Sequence, residues 1–145
     1  MVLALGPAAI VAAPPAQAYT PSPATRAAYQ ARVIQQINVI RLRSGRHSVT
    51  PSYCPTWFAA HWAWHLASTW TFYHQSIYPI LGVCRANVAA ENLARGNVSA
   101  DAIVAAWMAS PGHRANILDG RLNRIGVAAY YTRGQWVVAA DFTRS

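Results

Sequence analysis

No lysine occurs among the 145 residues, and there is a single glutamate, Glu91. The other acids are Asp101, Asp119 and Asp141, so four acidic residues stand against twelve arginines and the formal net charge is +8. So few carboxylates leave few candidates for acid–base chemistry. An all-arginine, alanine-rich composition reads first as a bias toward GC-rich codons; selection for phosphate-gripping guanidinium forks is the alternative. The arginines run from Arg26 to Arg144 with only Arg41, Arg43 and Arg46 close together, and P-loop, RNA-recognition and zinc-finger patterns are missing, which argues against nucleic acid as a partner. What the charge leaves is a mild attraction to anionic cell surfaces or lipids. Repeats and low-complexity tracts are also lacking after residue 23. General disorder is excluded by a hydrophobic content of 54%, and the length suits one domain with a sizeable core.

Only one long apolar run exists, and it is at the start. MVLALGPAAIVAAPPAQA has no charge and ends in Ala16-Gln17-Ala18, a small-x-small pattern, so residues 1–18 resemble a secretory signal peptide cut before Tyr19. The positively charged start that such peptides carry is missing from the run. A membrane anchor is the competing reading, but Pro7, Pro14 and Pro15 interrupt the run and it is short for a span. The mature chain is therefore expected to be secreted and to lack a transmembrane segment. The two cysteines, Cys54 and Cys84, fit an oxidising compartment as one disulfide. Two buried thiols, or a zinc site completed by histidines, are the other readings.

Past a short Pro/Ser leader at Tyr19–Pro23, within residues 19–29 that lead into the first helix, periodicity lays out the elements. Tyr29, Val33, Ile37, Ile40 and Leu42 recur at helical spacing from Thr25 to Arg43, with Arg26, Gln30, Gln35 and Arg41 pointing elsewhere and Ser44-Gly45 as the stop. Residues 47–55 read as a loop, Trp57 to Phe72 as an aromatic helix, and Pro79 to Arg85 as a second loop. Ser99 is placed to cap a helix that has Asp101 in its first turn and ends at Pro111-Gly112. Ile125 to Tyr131 and Trp136 to Phe142 read as a hairpin turning at residues 132–135. The sum is an α+β domain. Trp57, Trp64, Trp107 and Trp136 are expected in the core, while Trp62 and Trp70 are the tryptophans available for an outer lipid- or glycan-binding surface.

Three residues stand out as chemistry-bearing. His113 follows a Pro-Gly break, Glu91 lies among small apolar residues, and His74 closes the aromatic helix. A buried carboxylate can hold one imidazole N–H while the other ring nitrogen binds a cation. Structural histidines are the plainer alternative. His61 and His65 form a rival pair, four apart on one helix face, but no glutamate lies between them to act as a base. His47 reads as solvent-exposed surface.

The order of these segments, Ala90-Glu91-Asn92-Leu93-Ala94 followed by Trp107-Met108-Ala109-Ser110-Pro111-Gly112-His113-Arg114-Ala115-Asn116-Ile117-Leu118, resembles the CAP superfamily in its compact bacterial form. These are the cysteine-rich secretory, antigen 5 and pathogenesis-related-1 type domains, also called SCP-like. Asn38 and Arg41 in the first helix, Phe72-Tyr73-His74 and Ile125-Gly126-Val127 agree with it. The resemblance covers roughly residues 30–142, with the CAP domain taken as 30–145. It implies a three-layer α-β-α sandwich around a small antiparallel sheet. It also implies a cleft of two histidines and two acids, which in some members holds a divalent metal. His74 matches the first histidine, Glu91 the first acid and His113 the second histidine, while Ser110 stands where the second acid would be.

With one acid at that cleft, paired-carboxylate catalysis is not expected. A Ser110–His113–Glu91 nucleophilic triad lacks any visible oxyanion hole. The expectation is a secreted binding protein whose cleft takes a divalent cation such as zinc at His74 and His113, or an extracellular small-molecule, lipid or cell-surface ligand. The alternative is a metal-dependent hydrolase using the same cleft. The sequence leaves enzymatic activity undecided, leaning against it, and says nothing of oligomeric state.

Overall fold

The structure, a computed structural model, describes residues 19–145. The signal-peptide expectation falls on residues 1–18 and lies outside the described residues. Ser22 caps α1 (Pro23–Arg43) by accepting from the Thr25 N–H at 3.1 Å, and Pro23 occupies the first turn, where its missing N–H has no consequence. Then follow β1 (Thr50–Pro51), α2 (Tyr53–Thr69), α3 (Tyr78–Val83), β2 (Val88–Gly96), α4 (Ala100–Ala109), α5 (Pro111–Leu118), β3 (Arg124–Thr132) and β4 (Gln135–Arg144). The strands form one sheet in the order β1-β3-β4-β2. It is antiparallel except where the two-residue β1 runs parallel to β3.

Both faces of the sheet are covered. On one, Ala59, Ala63 and Leu66 of α2 pack on Leu93, Ala128, Val137 and Ala139. On the other, Val33 and Ile37 of α1, Val104 and Trp107 of α4 and Ile117 of α5 pack on Ile125, Val127, Val138 and Phe142. This is the α-β-α sandwich of the expected α+β class, with period-2 strands sending alternate residues to opposite layers. The hairpin turns where expected. Arg133 and Gly134 have φ of 50° and 75°, the positive-φ pair that matches strand twist in a two-residue turn. Cys54 and Cys84 are joined by a disulfide that pins α2 to the end of α3.

Several expectations are corrected. The aromatic helix starts earlier and stops at Thr69, because Trp70 takes a left-handed conformation (φ 57°) that reverses the chain. His74 therefore lies in an extended connection, not at a helix end. The expected loop at 79–85 is largely α3, with Pro79 tolerated in its first turn. Pro111-Gly112 ends α4 as expected, but Pro111 also opens α5. The alanine-rich segment 88–96 is a strand because it pairs with β4 along its whole length, tertiary pairing overriding local propensity. Trp107 and Trp136 are core, whereas Trp57 and Trp64 are 44% and 57% exposed. The helical period turns small residues of α2 toward the sheet and sends these two rings outward, while Trp62 and Trp70 pack at the margin of the core. Leu42 is exposed.

Arg41, expected to point away from the core, is fully buried one turn beyond Ile37. Its Nε donates to the His47 carbonyl at 2.7 Å, and its two terminal nitrogens donate to the carbonyls of Ile117, Asp119 and Leu122 at 2.7, 3.0 and 2.9 Å. One planar fork thus satisfies the ends of α5 and two loops. Gly126 is needed for a different reason, since a Cβ there would run into the backbone of Pro55 and Thr56 where α2 crosses β3. We expect Arg41→Lys to destabilise the fold by roughly 3 kcal/mol, because an ammonium cannot reach four spread carbonyls and leaves buried acceptors unpaired. Urea denaturation monitored by tryptophan fluorescence measures this, and a loss under about 1 kcal/mol contradicts the role assigned to the fork.

Candidate functional site

Glu91 is only 5% exposed and points to the α2 face of the sheet. Directly opposite it in the β2–β4 register is Asp141, which is completely buried. Two carboxylates side by side in an apolar layer need donors, and the connection after α2 supplies them. Gln75 Nε2 donates to Glu91 Oε2 at 2.7 Å and to Asp141 Oδ2 and Oδ1 at 2.9 and 3.1 Å, and the Gln75 N–H donates to Glu91 Oε1 at 3.2 Å. His74 Nδ1 donates to Glu91 Oε1 at 2.6 Å, while 61% of the His74 side chain stays open to solvent. The imidazole is thereby fixed by one nitrogen and presents the other, Nε2, outward.

His113 and Ser110 stand at a second wall. Both line a cleft of about 410 Å³ shared with Phe72, Leu93, Arg95 and Trp107. His74 is not among the side chains lining it, yet its charge reaches His113 and, after burial, helps hold the His113 imidazole below its ordinary pKa. His113 is therefore neutral at physiological pH and free to act as a ligand. What holds this wall in place is a set of side-chain caps on β2, the outer strand of the sheet. Trp107 Nε1 donates to the Leu93 carbonyl at 2.9 Å, and Asn116 Nδ2 donates to the Glu91 carbonyl at 3.1 Å and to Asn92 Oδ1 at 2.9 Å. Asn92 Nδ2 in turn donates to the His113 carbonyl at 3.1 Å. The Trp…Ser-Pro-Gly-His-Arg-x-Asn stretch is thus a clamp that closes the edge of the sheet and seats His113 beside Glu91's strand.

A family model, the cysteine-rich secretory protein family (CAP), matches residues 34–142. The chain belongs to the CAP family. A 48-residue stretch of this CAP chain is 42% identical to the uncharacterised protein YkwD of Bacillus subtilis, covering 33% of this chain and 19% of YkwD. Among solved structures it is similar to an extracellular protein containing an SCP domain from Bacillus anthracis (22% identity, TM-score 0.69, 88% of this chain and 45% of that one). It is also similar to an outer surface protein of Borrelia burgdorferi (19% identity, TM-score 0.68, 77% and 89%). These likenesses show the fold. The chain spans less than half the length of the Bacillus proteins it matches.

Of the sequence-derived site residues, His74 and Glu91 are in contact, and His113 and Ser110 share the cleft. The Ser110–His113–Glu91 triad is not assembled, since Glu91 serves His74 and Gln75. The rival pair is committed elsewhere: His61 Nδ1 bonds to the Trp57 carbonyl at 2.9 Å and His65 Nε2 to the Tyr73 hydroxyl at 2.8 Å. Sequence reasoning missed Gln75 and Asp141. The one available signal was an aspartate inside the apolar run Val137-Val138-Ala139-Ala140-Asp141-Phe142. A second acid is therefore present after all, supplied by β4 and not by the position of Ser110. Its burial, and Gln75's hold on both carboxylates, remove the pair from direct contact with a substrate.

Burial pushes the Asp141 carboxyl well above its ordinary pKa, with the neighbouring Glu91 charge adding to the effect. Glu91 is also raised by burial, against the opposing hydrogen bonds from Gln75 and His74. The folded protein therefore keeps a proton that the unfolded chain releases above about pH 4. Because the native state holds this proton more tightly, the pair's own contribution to stability falls as pH rises from about 4 toward neutrality, against the opposite contributions of Asp101, Asp119 and His113, which are held below their ordinary values. Asp141→Asn keeps the shape of the neutral form and should flatten this slope. Thermal melts from acid to alkaline pH should show the variant equalling or exceeding the parent at the alkaline end and losing that advantage at the acid end. Parallel curves would contradict proton retention by the pair.

Proposed function

We propose that this CAP domain is an extracellular binding module in which His113, lining the cleft, and His74, outside its lining, together receive a divalent cation such as zinc beside a small ligand. The observation that carries the reading is the Glu91–His74 contact at 2.6 Å, which fixes an exposed imidazole with its outer nitrogen available. This is the carboxylate–histidine arrangement that orients metal ligands and raises their basicity. His113, kept neutral by burial, supplies the second imidazole. Among the described residues no group of three or more His, Cys, Asp or Glu side chains is arranged around a common point. A cation held by two imidazoles would keep positions open for a ligand, unlike a closed structural zinc site. A bound cation would supply Lewis acidity toward a ligand oxygen.

Export is supported by the disulfide and by the extracellular and outer-surface descriptions of the structural relatives. Hydrolysis is the weaker reading, because both carboxylates near the cleft are buried and hydrogen-bonded to Gln75. Zinc titration by calorimetry should show one site that His74→Ala and His113→Ala each abolish and that Glu91→Gln weakens roughly 10- to 100-fold. Undiminished zinc binding in either alanine variant would remove the site.

A further inference from the structure

The outer face of α2 carries a row of aromatic rings turned to solvent. Tyr53, Trp57, His61 and Trp64 are all exposed there, and their spacing puts them about 6, 6 and 4.5 Å apart along the helix axis. Trp57 and His61 lie ring against ring, with centres 3.8 Å apart. A hollow of about 430 Å³ opens beside the start of this stripe, lined by Tyr53, Cys54, Trp57, Phe58, Pro79 and Val83. A second, of about 220 Å³, opens beside its end, lined by Ala60, His61, Trp64 and Tyr130. Neither hollow includes His74, Glu91 or His113, so the stripe is separate from the candidate cation site.

The polar tips of these rings are left for a ligand. His61 Nδ1 meets the Trp57 carbonyl at 2.9 Å. A carbonyl only accepts, so in the neutral ring this nitrogen carries the proton and Nε2 is an acceptor. The Trp64 indole N–H and the Tyr130 hydroxyl make no hydrogen bond to another described residue. The chain carries a formal net charge of +8, yet no arginine, aspartate or glutamate lines either hollow. Arg26 stacks on the Tyr130 ring at 5.1 Å without joining the lining. A matching occupant is therefore uncharged, apolar on its flat face and rich in hydroxyls at its rim. A hydrocarbon tail would leave the imidazole, indole and phenol groups without partners. The stripe is about 17 Å long and one helix wide, far short of the roughly 800 Å² per partner that a stable protein pair buries.

The geometry points to a neutral glycan on the outer face of α2: a chain of pyranose rings whose C–H faces lie on Trp57 and Trp64 and whose hydroxyls bond to His61 Nε2 and the Tyr130 hydroxyl. Successive sugars advance by a step similar to that of the aromatic stripe, so neighbouring sugars meet neighbouring side chains. Rigid aromatic rings with polar tips supply such contacts at little conformational cost. The site needs neither the cation nor the cleft beside β2.

The test titrates the whole chain with cellohexaose and with chitohexaose, followed by calorimetry and tryptophan fluorescence. At least one hexasaccharide should bind about tenfold or more tighter than its own monosaccharide, because several rings engage at once. Trp64→Ala should weaken that binding about tenfold with unchanged melting temperature, and Trp64→Phe should recover part of it. His61→Leu should also weaken it, since the ring acceptor is lost while the bulk remains. Zinc titration of Trp64→Ala should match the parent, and hexasaccharide binding should survive His74→Ala, so the two sites succeed or fail separately. Failure of both hexasaccharides to bind the parent, or full affinity in Trp64→Ala, overturns the proposal. So does self-association, or adsorption to phosphatidylcholine vesicles, that Trp64→Ala abolishes and the hexasaccharides do not compete with, because the stripe then serves a second copy or a membrane.

Discussion

One side-chain amide, that of Gln75, holds the candidate site together. Two carboxylates, Glu91 and Asp141, face each other across β2 and β4 in a layer otherwise filled by Leu93, Val137 and Ala139. Unpaired charge in such a layer costs several kcal/mol, about what one buried unpaired ion costs. Gln75 spends both of its amide hydrogens on the pair, and burial raises the Asp141 carboxyl toward its neutral form, which lowers the repulsion. The same bonds tie the extended connection after α2 to the sheet. His74, one residue earlier, is placed over Glu91 as a consequence.

The opposite wall is built by a different device with the same logic, which is to satisfy backbone groups with side chains where no strand or helix can. Trp107 and Asn116 cap carbonyls on the open edge of β2, and Arg41 caps the carbonyls around the end of α5. Pro111 breaks α4 and starts α5 at an angle, so that His113 turns toward the cleft while Ile117 reaches the core. Once these caps are removed from consideration, Ser110 and His113 are what the motif leaves for a ligand.

The arginine-only charge divides into separate roles. Arg41 is structural and buried, Arg32 and Arg121 pair with surface aspartates, and Arg95 and Arg133 stack on Trp70 with no carboxylate partner among the described residues. Net charge alone therefore describes the surface poorly.

The amino-acid sequence by itself determined the domain class, the α1 and α4 helices and the closing hairpin, and it favoured a Cys54–Cys84 disulfide that the structure shows. These depend on local periodicity, caps, turn residues and a cysteine count of two. It also marked His74, Glu91, Ser110 and His113, because a long motif carries their order. Only the tertiary structure decided that Val88–Gly96 is a strand, since its alanines pair with β4 and no local preference announces it. The same holds for Arg41, whose polar character hid a buried role satisfied by carbonyls more than seventy residues away in the chain. Asp141 became Glu91's companion only through cross-strand register, and register is a long-range property that sets which side chains share a face.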